Sequence, residues 1–163
     1  MPAGPVVANN TPLAALWVLG RLDLLRELYG EVEIPQAVYD EFLATERALR
    51  QVALAQAPWI LPWALDNPQR SRAYVGLDAG EAEVLALAEE RGARLVIMDE
   101  RKGRRFARRL GLPLTGTLGV LLLAKERGLI PSLAPLLAEL QEAGLYLDSA
   151  LVAQALRLCG EES

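Results

Sequence analysis

The stretch Leu95-Val96-Ile97-Met98-Asp99-Glu100 runs directly into Arg101-Lys102-Gly103-Arg104-Arg105-Phe106-Ala107-Arg108-Arg109. Four apolar residues that end abruptly in a carboxylate have the pattern of a buried parallel strand, and the segment behind them is compatible with a helix. Such a strand delivers Asp99 to the carboxyl edge of a sheet, the edge at which open α/β sheets bind ligands. The rest of the chain is therefore read for other segments that bring acidic side chains to the same edge.

Working outward, Asp78-Ala79-Gly80-Glu81 opens a helix that closes at Gly92, just before the strand Leu95 to Met98. After that strand come a basic helix from Glu100 to Leu110, a short parallel strand from Leu112 to Thr115, and an apolar helix from Leu118 to Arg127 with Thr117 as its cap. Two further helices are expected over Ser132–Ala143 and Ser149–Cys159, the second after an extended Leu145-Tyr146-Leu147. Toward the N-terminus, Val6-Val7-Ala8 has the strand pattern and stops at Asn9-Asn10, and Thr11 before Pro12 reads as a helix cap. Helical segments over Leu13–Leu19 and Leu22–Tyr29 each end at a glycine. Glu31 to Ile34 is a weak strand, and Pro35 opens a helix toward Ala57. Pro58 to Asn67 is the least regular part, followed by a connection with a helical turn to Leu77. This alternation of strands and helices is that of an α/β domain, and the length suits one core.

Composition removes several kinds of chemistry. The chain has no histidine, which excludes Ser-His and Cys-His nucleophiles and the commonest zinc ligand. Catalysis is left to carboxylates, amides and hydroxyls, whose oxygens suit hard cations, so a metal here is expected to be magnesium or manganese. The formal net charge is −4, yet six of the 17 Lys and Arg residues lie between Arg101 and Arg109, an anion-facing concentration on a chain that is not globally basic. The lone Cys159 agrees with a reducing compartment. No apolar run approaches the roughly 20 residues of a membrane span, and Met1-Pro2-Ala3-Gly4-Pro5 carries no leader pattern, so a cytoplasmic protein without a membrane association is expected.

Four residues are candidates to converge with one another. Glu81 lies on the buried side of its helix, three and four residues before Val84 and Leu85, either as a ligand or as the third residue of a capping box with Asp78. Glu83 is an alternative whose side the pattern leaves open. Glu41 sits beside the apolar stripe Ile34, Val38, Phe42, either turned to the site or simply solvated. Asp99 is either functional or the cap of the helix behind it. Asn9 ends the first strand as Asp99 ends a later one, and both reach one crevice if those strands are neighbours; an amide oxygen ligates a hard metal but brings no charge. Arg101, Arg104, Arg105 and Arg108 share a helical face, where guanidinium forks match phosphate oxygens or simply line a solvated surface.

Taken together, Val6 to Leu13, Gly20 to Leu25, Ile34 to Glu41, Gly80 to Glu83, Leu95 to Asp99 and Thr115 to Leu121 resemble the PIN domains, and among them a compact prokaryotic subgroup close to toxin subunits of toxin-antitoxin pairs. The resemblance implies a three-layer α/β/α fold on a central parallel sheet of about four to five strands, one domain over residues 1–163. It implies a metal-dependent endoribonuclease holding Mg²⁺ or Mn²⁺ on Glu41, Glu81 and Asp99. Asn9 stands where most members place an aspartate. Thr11 and Thr117 are polar neighbours, and the helix bearing Arg101, Arg104 and Arg105 faces RNA. Partners implied are RNA and an antitoxin protein. The Trp59–Trp63 segment and the leucines of the C-terminal helices are read as an antitoxin or homodimer surface, or as core. Asn9 also motivates a second expectation, a weak or inactive PIN module that binds RNA or a protein.

Overall fold

The strand Val6–Ala8 (β1) is apolar and fully buried, as a central strand with neighbours on both edges must be. It pairs in parallel with Val32–Pro35 (β2) on one side and Leu95–Ile97 (β4) on the other. Ile60–Trp63 (β3) and Leu114–Thr115 (β5) complete an all-parallel sheet of order β3-β2-β1-β4-β5. The order reverses between β1 and β4, so the crevice beyond their carboxyl ends is the topological switch point. This computed structural model describes residues 3–161, and the first two residues of the N-terminal stretch lie outside it.

Helices Asn10–Val18 (α1) and Asp23–Tyr29 (α2) follow β1, and Gln36–Phe42 (α3) and Arg47–Ala55 (α4) follow β2. A 3₁₀ helix at Pro68–Ala73 leads to Ala79–Arg91 (α5), and Arg101–Arg109 (α6) joins β4 to β5. Thr117–Glu126 (α7), Ala134–Glu142 (α8) and Ser149–Leu158 (α9) close the chain. The fold is the expected three-layer α/β/α arrangement. Helix α5 packs against β1, β2, β4, α3, α6 and the 3₁₀ helix. That crowding buries Ala82, Val84, Leu85, Ala86, Leu87 and Ala88, well beyond a single stripe. The expected capping box is half present: Asp78 Oδ1 accepts from Glu81 N at 2.8 Å.

Four local expectations are corrected. The helix expected to run from Pro35 toward Ala57 is two helices, α3 and α4, separated at Leu43–Glu46, where Glu46 adopts a left-handed conformation with φ of 49°. The segment expected to be irregular holds β3, in register with β2 so that Pro62 stands opposite Ile34. Proline is tolerated there because β3 is an edge strand, whose outer amides need no partner. The first helix begins one residue before Thr11, with Asn9 in the cap position. Helix α7 is preceded by Gly116 as its cap, which makes Thr117 its first residue and frees the hydroxyl for another use.

Candidate metal centre and nucleic-acid interface

The parallel pairing of Ala8 with Ile97 brings the ends of β1 and β4 side by side, and Asn9 N extends the ladder to Ile97 O at 2.9 Å. Asn9 and the Asp99 loop therefore leave the sheet at one crevice. Asn9 is only 4% exposed. An asparagine in a cap position ordinarily turns its side-chain oxygen onto the amides of the first helical turn. Here that bond is not made, and Oδ1 is buried without a hydrogen-bond partner. Leaving such an acceptor unpaired costs about 1–3 kcal/mol, which a ligand at this point would recover. The start of α5 lies against it: a Cβ on Gly80 would stand in ordinary contact, 3.4 Å from Asn9 Oδ1 and 3.5 Å from Asp78 Oδ1.

Asp99 is fixed by the start of α7. Its Oδ1 accepts from Thr117 N at 2.8 Å and its Oδ2 from the Thr117 hydroxyl at 2.5 Å. The carboxylate thus sits at the positive end of a helix it does not belong to, rather than capping its own. Thr117 is 1% exposed, so its hydroxyl is committed to this contact. Gly116 makes the approach possible, since a Cβ there would lie 2.5 Å from Asp99 Oδ1.

Glu81 is 7% exposed, and a Cβ on Gly103 of α6 would come within 3.3 Å of its Oε2. Burial foremost, then hydrogen bonding and charge from Asp78 and charge from Glu100, push its carboxyl up to about 7. Glu41 is at the open rim of the same acidic group. Desolvation raises its pKa, with the charges of Asp78 and Glu100 acting in the same direction. Glu83 turns elsewhere: its Oε1 accepts from Ala37 N at 3.0 Å and so caps α3. Asp78, whose charge acts on both glutamates, was legible only as a cap. Glu100 read only as a helix start, although its adjacency to Asp99 was a usable signal.

Beside Asp99 opens a cleft of about 610 Å³ lined by Thr11, Asp99, Glu100, Arg101, Arg104 and Arg108 and by Leu145, Tyr146, Leu147, Asp148 and Leu151 of the C-terminal segment. Of the three arginines expected to face substrate, Arg101 and Arg104 line it and Arg105 does not; Arg108 takes that place. Arg104 spends part of its guanidinium on the fold, with Nη1 donating to Met98 O at 2.8 Å. Burial and the neighbouring Arg108 lower its pKa, and Asp99 opposes them.

The described residues contain no helix long and apolar enough to cross a membrane. Compared with known proteins, residues 5–161 match the family model DUF3368, described as a PIN domain. No curated protein matches the chain.

Proposed function

The chain belongs to the PIN-domain family, a nuclease-type fold, and on that premise we propose that it is a divalent-metal-dependent endoribonuclease whose site is formed by Asn9, Glu41, Glu81 and Asp99. The observation that carries the reading is the buried, unpartnered Asn9 Oδ1 at the switch point, together with the carboxylates of Glu41 and Glu81, whose pKa values are raised by burial first and then by the neighbouring acidic charges. The donors are all oxygens, which fits Mg²⁺ or Mn²⁺. Among the described residues no three acidic side chains are gathered closely enough to hold an ion by themselves.

A cation bound by these residues would supply an activated water for attack at phosphorus and charge neutralisation at the departing oxygen. The protein's part is distinct. Thr117 holds both oxygens of Asp99 in one orientation. Glu81, with a carboxyl near neutrality, is suited to hold or release the proton of the reacting water. Arg101 and Arg108, open on the cleft wall, bind backbone phosphates of the RNA. Thr11 contributes a hydroxyl to the same wall.

A second reading, a binding module with weak or no activity, is favoured by one residue: Asn9 removes a charge where the resemblance leads one to expect an aspartate. Under either reading an antitoxin protein and a homodimer are the proposed partners. Of the residues read as a partner surface, Trp63 at the end of β3 and Leu151 and Leu158 of α9 are exposed and form the surface proposed for them, whereas Leu133, Leu137 and Leu140 belong to the core. The discriminating experiment incubates single-stranded RNA and Mn²⁺ with the protein and with Asp99→Asn. Cleavage by the wild type alone supports the enzyme; equal cleavage by both removes Asp99 from the mechanism, and cleavage by neither supports the binding module.

A further inference from the structure

The cleft that the arginines line is also lined by a short strap, the segment between α8 and α9. It is fixed at both ends. Gly144, with φ of 94°, turns the chain out of α8 while Leu145 N donates to Leu140 O at 3.0 Å. At the far end Asp148 Oδ1 accepts from Ala150 N and Leu151 N at 2.9 and 3.1 Å, which caps α9. Along the strap the side chains alternate as extended backbone requires. Leu145 and Leu147 are half-buried against the core, and Tyr146 between them points out, 85% exposed, at the edge of the cleft.

A large ring held in place yet left in solvent gains most from a flat apolar partner. The partner must also suit a cleft that Arg101 and Arg108 line together with Tyr146, and whose volume of about 610 Å³ is that of a small-ligand site. Single-stranded nucleic acid has this combination, phosphates for guanidinium groups and unpaired bases for an aromatic face. We propose that Tyr146 is a stacking platform for an unpaired base of single-stranded RNA whose backbone runs along Arg101 and Arg108. The proposal rests on the reading of the cleft as RNA-facing and adds the side chain that holds a base there, one that acts on unpaired strand because a base paired inside a helix cannot reach the ring.

The test is fluorescence anisotropy of a short labelled oligoadenylate in EDTA, where cleavage does not interfere, with the wild type, Tyr146→Ala, Tyr146→Leu, Tyr146→Phe and Arg108→Ala. Tyr146→Ala and Tyr146→Leu are expected to weaken binding about 5- to 150-fold, the range of one stacked base. Tyr146→Phe, which keeps the ring face, should stay within about twofold of wild type. Because the ring is exposed, thermal melting should be the same in all Tyr146 variants. Binding unchanged in Tyr146→Ala but weakened in Arg108→Ala overturns the platform and leaves the RNA reading intact. A wild type that does not bind the oligoadenylate overturns the RNA reading and the platform with it.

Discussion

Glu81 is the residue at which the surroundings act most strongly on chemistry. Its carboxyl titrates near 7 in the folded chain against an ordinary 4.5, so the folded state holds a proton that the unfolded state has released between those values. Stability from this group is full below pH 4.5 and is lost as pH rises through 7. In EDTA, urea denaturation should show stability falling across that window by of order 1–3 kcal/mol. Glu81→Gln, which cannot ionise, should flatten the dependence. A divalent cation should oppose the loss at neutral pH, since it favours the charged carboxylate. A wild-type profile as flat as that of Glu81→Gln would show that the carboxyl is not held protonated by its neighbours.

At the scale of elements, the site is assembled by helix ends reaching across to side chains of other segments. Helix α7 holds Asp99 through Thr117, α5 starts on Asp78, and Glu83 of α5 starts α3. Glycines at 103 and 116 are the points of close approach. Thr117→Val keeps shape and removes the hydroxyl donor, so Mn²⁺ affinity or RNA cleavage should drop about 10- to 100-fold while the fold persists. Unchanged affinity and cleavage would mean the backbone amide alone suffices to orient Asp99. Much of this scaffold was legible in the sequence. A buried apolar run ending in Asp99, and a cap at Asp78 with an apolar helix behind it, are local signals, and both lie where expected. What was not legible depends on tertiary context. Pro62 and Trp63 read as loop until a neighbouring strand leaves them at a sheet edge. The break at Glu46 has no glycine or proline to announce it. The hydroxyl of Thr117 reads as a cap until β4 and β5 bring Asp99 to it.

For the whole molecule, topology does what no single motif does. Strands distant in sequence, β1 and β4, are adjacent in the sheet, and that adjacency alone places an orphaned amide oxygen near the Asp99 loop. The arginines of α6 and the C-terminal strap then line one cleft beside it. Which arginines face inward is set by the rotation of α6 on Gly103 and Ala107, both buried, and so was open in the sequence. The central claim is that this crevice takes a divalent cation with Asn9 as one of its ligands. Calorimetric titration of Mn²⁺ into the purified protein and into Asn9→Asp tests it most directly. Saturable uptake below millimolar metal is expected for the wild type, and a gain of about tenfold or more for Asn9→Asp, in which a carboxylate replaces the amide. No saturable uptake by the wild type, or no gain with the added charge, would contradict it.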